Sequence, residues 1–213
     1  MHLATGEHPR QCGLPAARVL CSDDDHSSII AMHPLIADGL CIRPFRVNDA
    51  EVFAAAVRES VATVGPWLPW CHAGYGTKEA RAWIGQCAVR LNMGFSYDVG
   101  IFMEDCMTLL GGVAINQVDH VHNTGNVGYW VREDMQRRGI ATRAARAMAK
   151  FGFDTLHLTR LEIVAAEGNR ASRVVAEKLG ATFECIARNR LFVRGVPLAA
   201  AVYSLIPGDL GQD

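Results

Sequence analysis

The 213-residue chain has no apolar run approaching the about 18 residues needed to cross a bilayer. It has almost no net charge: 21 lysines and arginines stand against 22 aspartates and glutamates, for a formal charge of −1. No global field therefore draws it to nucleic acid or to a membrane surface, and its partners must be chosen locally. It has seven cysteines (Cys12, Cys21, Cys41, Cys71, Cys87, Cys106 and Cys185), an odd number, with no pair at a CxxC spacing. That pattern argues against a disulfide framework or a structural metal site and predicts reduced, mostly buried thiols in a cytoplasmic compartment. No secretory leader is expected from residues 1–31 either, since Arg18 interrupts the one apolar stretch there, residues 14–21. Neither Gly-Lys-Ser/Thr nor GxGxxG occurs, so the nucleotide-binding loops those patterns mark are excluded.

What is present is a chain half hydrophobic and one-fifth charged, enough for a folded core. At roughly 150 residues per domain, its length predicts a single domain. Residues 1–31 differ from the rest: Gly6, Pro9, Gly13 and Pro15 precede the polar cluster at 22–28, and no period of 2 or 3.6 is sustained. They are expected to form an N-terminal extension, with 32–213 as the domain and Met32 as a possible translation start. Asp23 to His26 reads as a solvated acidic cluster rather than a metal site.

From Leu40 the pattern becomes regular. A strand over 40–45 leads to a helix ending at Ser60, capped by Asn48 or Asp49 and with Val52, Phe53, Ala56 and Val57 on one face. The run Gly65-Pro66-Trp67-Leu68-Pro69-Trp70 breaks that helix. Thr77 is expected to cap a second helix, running to about Asn92. Strands follow over 95–103, 108–116 and 126–131, then a helix over 139–155, a strand over 160–165 and a helix over 169–179. Two last strands, 182–192 and 196–205, meet at Arg194-Gly195. Only some strands have helical crossovers, which predicts an α/β (α+β) domain with a mixed sheet.

The most informative segment joins the strand ending at Val131 to the helix beginning near Gly139: Gln136-Arg137-Arg138-Gly139-Ile140-Ala141-Thr142. A helix start carries amide hydrogens without intrahelical partners and the positive end of the macrodipole. Small Gly139 and Ala141 let a ligand approach the backbone, and Arg137 and Arg138 add positive charge, so the turn suits a phosphate. The same residues would also serve as an ordinary basic helix start.

The segment Gln136 to Ala141 resembles the Q/R-x-x-G-x-G/A motif of the GNAT superfamily of acyl-CoA-dependent N-acetyltransferases. Gly128-Tyr129-Trp130-Val131, Asn169-Arg170-Ala171-Ser172 and Glu177-Lys178-Leu179-Gly180-Ala181-Thr182-Phe183 follow the family's order. Trp67-Leu68-Pro69-Trp70 and Leu40-Cys41-Ile42-Arg43-Pro44 resemble the ribosomal-protein N-terminal acetyltransferase (RimJ/RimL-like) branch. The resemblance covers about residues 35–206. It implies a central mixed, mainly antiparallel sheet flanked by helices and splayed between its fourth and fifth strands. Acetyl-CoA would enter that cleft with no metal, its pyrophosphate on Gln136 to Thr142 and its pantetheine arm along Tyr129, Trp130 and Val131, with Asn169 in contact. An amine acceptor, of which a ribosomal-protein N-terminus is one, would approach past Trp67 and Trp70. A homodimer is implied as well. For the two tryptophans, lining the acceptor pocket and packing on the core remain open alternatives.

The reaction implied is direct attack of the amine on the thioester in a ternary complex. Many relatives assist the leaving thiolate with a tyrosine at the position held here by Ala176, so Ser172 is the candidate catalytic residue, first-turn bonding in its helix being the alternative. The carboxylate base that relatives carry falls here at Asn126 or, in some, at Leu191. His120, His122, Asp98, Glu162 and Tyr129 remain as candidates. An α-amine costs about 1.4 kcal/mol to deprotonate at pH 7 and a lysine about 4.6. The lack of an evident base therefore favours an acceptor of low pKa. A small-molecule amine acceptor and a non-catalytic acyl-CoA sensor are the competing readings.

Overall fold

The computed structural model describes residues 32–211; the N-terminal extension read over 1–31, with its acidic cluster, lies outside them. The first expected strand forms as β2 (Leu40–Pro44). A further strand, β1 (Leu35–Ala37), precedes it, so the sheet has eight strands instead of seven. Three residues between Pro34 and an Asp-Gly turn show too little alternation to be read from sequence. The turn closes because Asp38 and Gly39 both adopt positive φ, 50° and 75°, as a two-residue hairpin requires.

Helices α1 (Ala50–Glu59) and α2 (Thr77–Asn92) lie where the 3.6-residue period places them, burying Phe53, Ala54, Ala56 and Val57 on one, with Val52 of the expected face exposed instead, and Ala80, Ile84 and Cys87 on the other. Their expected caps do not form. Thr77 is the first helical residue, after Gly76, and no side chain caps α2. Asp49 turns back instead, accepting from the Arg46 amide at 2.6 Å and from both terminal nitrogens of buried Arg43 at 2.8 and 3.0 Å. Burial pushes the Asp49 carboxyl up, but the Arg43 guanidinium and the Arg46 amide outweigh it and hold the pKa below the usual value.

The sheet continues through β3 (Tyr97–Met103), β4 (Leu109–Asp119) and β5 (Thr124–Val131), then α3 (Ile140–Asp154), β6 (Arg160–Ala166), α4 (Arg170–Lys178), β7 (Thr182–Val193) and β8 (Val196–Leu205). Strand order is β1-β2-β3-β4-β5-β6-β8-β7, and every pairing except β5 with β6 is antiparallel. The mixed, mainly antiparallel sheet implied by the resemblance is therefore present. One face packs Ile101, Val113, Ile115 and Val127 against Ala144, Met148 and Phe151 of α3. The other packs Phe102, Leu109 and Trp130 against α1 and α2. There Phe53 stacks on Trp83 at 4.8 Å and meets the Trp130 edge at 5.6 Å.

The expectation of reduced thiols is corrected by a disulfide between Cys41 on β2 and Cys106 in the β3–β4 turn. Sixty-five residues separate the two in sequence, and only the β2–β3 pairing brings them together. Cys71 and Cys87 are free and buried, as expected, whereas free Cys185 is exposed. No helix of the described residues is long and apolar enough to cross a membrane.

Candidate active site

Strands β5 and β6 run parallel for three rungs only, Thr124 with Arg160, Gly125 with Leu161 and Asn126 with Glu162. Beyond Asn126 the strands part. β6 stays paired with β8 to Ala166, and β5 stays paired with β4 to Val131. The sheet is thus splayed where the resemblance implied, between the fifth and sixth strands once β1 is counted. A cleft of about 980 Å³ opens there, lined by both strand ends.

At its α3 end the cleft is floored by the loop that the sequence singles out. Gln136 anchors the loop: its side-chain amide donates to the Val131 carbonyl and to Thr63 Oγ1, each at 3.0 Å. Arg137 and Gly139 both take positive φ, 62° and 73°, turning the chain sharply into α3. No side chain caps this helix start, and a Cβ on Gly139 would meet nothing within 4 Å. Open space before uncapped amides suits a phosphate. Arg137, Ile140, Ala141 and Thr142 line the cleft; so do Arg170 and Lys178 of α4, which the sequence reading did not single out. The signal for them was their helical spacing of eight residues, two turns apart on one face of α4. Arg138 does not line the cleft and donates to the Asp134 carbonyl. The residues present therefore fit a pyrophosphate-bearing cofactor, with Arg170 and Lys178 as further cations lining the cleft.

Tyr129, Trp130 and Val131 all line the cleft, alternating between the faces of β5. Tyr129 points to α4: its hydroxyl donates to the Ser172 carbonyl at 2.9 Å and lies 3.1 Å from Ser172 Oγ. Burial is the main reason its pKa is pushed up to about 12, so the phenol keeps its proton at neutral pH. Asn169 caps α4, its Oδ1 accepting from the Ser172 amide at 3.2 Å, and it also lines the cleft. The capping task thus falls to Asn169. With the Tyr129 proton on the carbonyl, the Ser172 hydroxyl hydrogen is free to turn into the cleft. Ala176 is fully buried behind it.

Trp67 and Trp70 join lining and packing. Both line the cleft, and Trp70 also packs edge-on against Trp130 at 5.7 Å and Tyr75 at 6.3 Å. An ideal Cβ on Gly168, beyond β6, would lie 3.7 Å from Trp67 Cη2, so this ring reaches across to the far side. The hairpin between β7 and β8 closes the same side: Arg194 donates to the Gly65 carbonyl at 2.9 Å, and Leu191 and Val193 line the cleft.

Among the candidate bases, His122 pairs with Asp119 at 2.9 Å and His120 contacts the Gly94 carbonyl; neither lines the cleft. Glu162 is engaged by Arg160 at 2.9 Å and is not among the lining residues, although its position on β6 is paired with Asn126. Asn126 and Asp98 do line it, and among the described residues Asp98 is the single carboxylate that does. Among the described residues, no group of three or more His, Cys, Asp and Glu side chains could hold a metal.

The sequence profile of the acetyltransferase (GNAT) domain matches residues 39–182. The chain belongs to the GNAT acetyltransferase family. As a member it is an N-acetyltransferase, and acetyl-CoA is its acetyl donor. YdaF of Bacillus subtilis (strain 168), provisionally named a ribosomal N-acetyltransferase, is 30% identical over 176 residues, which is 80% of this chain and 93% of YdaF. A solved Vibrio cholerae protein, provisionally named a ribosomal-protein-serine acetyltransferase, is 34% identical with a TM-score of 0.74, covering 82% of this chain and 98% of that one. The fold is shared at lower identity, 19%, with RimL, a ribosomal-protein α-N-acetyltransferase solved with coenzyme A. The TM-score is again 0.74, over 82% of this chain and 98% of RimL.

Proposed function

We propose that this GNAT enzyme acetylates the α-amine of a protein N-terminus, with a ribosomal protein as the acceptor type. The observation that carries this reading is the single carboxylate among the described lining residues, Asp98, on an acceptor wall whose other side chains are tryptophan, aliphatic or uncharged polar groups such as Thr63, Asn116 and Asn126. A polyamine would bring several ammonium groups and leave most of them unpaired in that wall; one terminal amine brings one. The names of the B. subtilis and V. cholerae relatives support the same acceptor.

Bound acetyl-CoA supplies a thioester carbonyl that the amine attacks, releasing the coenzyme thiol. The loop from Gln136 to Thr142 and the cations of Arg137, Arg170 and Lys178 would hold its phosphates. The parted end of β5, from Tyr129 to Val131, offers backbone groups that β6 no longer uses, and the Asn169 amide nitrogen offers a further donor. Ser172 Oγ offers a hydrogen bond to the sulfur as negative charge develops there, and the Tyr129 hydroxyl fixes its position.

The test is mass spectrometry of cell extract incubated with the enzyme and isotopically labelled acetyl-CoA. Label is expected on N-terminal α-amines. Labelling of lysines alone, or of small amines alone, would overturn the reading.

A further inference from the structure

Directly paired residues of an antiparallel sheet project from the same face, as does every second residue along a strand. On β5, Gly128 and Trp130 therefore share the face on which Trp130 meets Phe53 and Trp70. Trp130 is paired with Gly112 of β4, and its ring leans across that bare position. An ideal Cβ on Gly112 would lie 2.6 Å from Trp130 Nε1 and 3.3 Å from Cδ1. Any side chain at 112 would push the ring aside, so glycine there is what lets the indole lie over β4. Phe53 and Trp70, edge-on at 5.6 and 5.7 Å, hold it in place.

Of the four tryptophans Trp130 is the buried one, 8% exposed. A buried indole N–H, which can only donate, ordinarily finds an oxygen. This one has no hydrogen-bond partner among the described residues. Nor is it sealed in. Among the described residues, the enclosed side-chain atoms without a partner are Arg90 Nε, Asn126 Oδ1 and Arg132 Nε, and Trp130 and Gly112 both line the cleft. A rigidly held, unpaired donor thus stands at the cleft wall.

Its position relative to β5 fits one kind of ligand group. Nε1 lies over β4, one strand spacing of about 4.8 Å from β5, the strand assigned above to the thioester arm. In an N-terminal residue the amine and that residue's own carbonyl oxygen are about 3 Å apart. A carbonyl accepting from Nε1 at about 2.9 Å would therefore leave the amine beside β5. The ground there is open: an ideal Cβ on Gly128 would have only Asn116 Nδ2 within 4 Å, at 3.5 Å. A lysine carries its amine at the end of a four-carbon stem, away from any carbonyl, and a polyamine has no carbonyl.

We propose that the Trp130 indole N–H receives the first carbonyl of the acceptor, making Trp130 the residue that distinguishes an N-terminal α-amine from the amine of a lysine or a polyamine. The inference rests on the acceptor reading above and names the group that enforces it.

The test is calorimetric binding of two peptides to the coenzyme A-loaded protein. One has a free serine N-terminus; the other is the same peptide with its first amide replaced by an E-alkene, which keeps the shape and removes the carbonyl. Wild type should bind the amide about fivefold more tightly, as one neutral hydrogen bond allows. Trp130→Phe, which keeps an aromatic ring without the N–H, should bring that ratio below about twofold. In NMR spectra of wild type, which need no variant to fold, the Trp130 indole proton should move downfield with the amide peptide and stay in place with the alkene. Equal affinity of wild type for the two peptides, an unchanged ratio in Trp130→Phe, or an indole proton unmoved by the amide overturns the assignment and leaves the N-terminal reading intact. Failure of wild type to bind either peptide, with binding of an N-acetylated peptide carrying one lysine, would overturn the N-terminal reading and this assignment with it.

Discussion

The two sides of the cleft are built in different ways. The α3–α4 side presents backbone: uncapped amides at a left-handed glycine, a strand end released from pairing, and cations at one helix face and the loop. The acceptor side presents side chains from four separate segments: Asp98 of β3, Asn126 of β5, the tryptophans after α1, and the β7–β8 hairpin held by Arg194. A backbone site depends on local geometry and so is compressed into a short contiguous motif. A side-chain site depends on register across strands and can be altered at one position without disturbing the other side. Acceptor choice can thus change while donor binding is kept.

The sharpest separation of the two sides should come from Gly139→Val. A β-branched residue at φ +73° costs about 1–3 kcal/mol, so coenzyme A affinity should fall by as much as ~100-fold, with peptide discrimination by the remaining bound fraction intact. A wild-type affinity in this variant would show that the loop conformation is not what binds. Ser172→Ala comes next. Losing a hydrogen bond to a charged sulfur, about 2 kcal/mol, should lower kcat roughly 30-fold in a stopped assay of thiol release, with coenzyme A affinity unchanged. If affinity falls instead, Ser172 belongs to binding.

Trp70→Ala should raise the acceptor KM about fivefold and leave the donor KM alone, since roughly 1 kcal/mol of aromatic contact is lost on one side only. The smallest contrast lies within the loop. Arg137→Ala should weaken coenzyme A binding about fivefold at low salt, and Arg138→Ala less than about twofold, because only Arg137 lines the cleft. Equal losses in the two variants would return Arg138 to the site. A spectroscopic titration complements these: with Tyr129 pushed up to about 12, its phenol should remain un-ionised as pH rises from 6 to 10, so kcat should show no loss from Tyr129 in that range.

Much of the donor side was legible because it is local. Gln136 to Thr142, the capping Asn169 and the strand ending at Val131 are each read from a few consecutive residues whose types serve one backbone geometry. What the local motif did not carry is which way side chains point: in a loop with two left-handed residues Arg137 lines the cleft and Arg138 bonds the Asp134 carbonyl instead, while Arg170 and Lys178 reach the lining from α4. The acceptor side was hardly legible. Asp98 stood among several undistinguished polar residues, and nothing near it in sequence shows that Glu162 and both histidines of the β4–β5 connection fall outside the cleft. The Cys41–Cys106 pair was invisible for the same reason, since no local spacing encodes a cross-strand contact over 65 residues.

By itself the sequence determined every helix and strand but β1, the family and the donor, because periodicity, turn chemistry and a phosphate-binding helix start are properties of adjacent residues. Only the tertiary structure decided that Ser172 meets Tyr129, that Cys41 meets Cys106, and that Asp98 lines the cleft while Glu162 and both histidines of the β4–β5 connection do not. Those relations follow from strand register, which exists only once distant segments have paired.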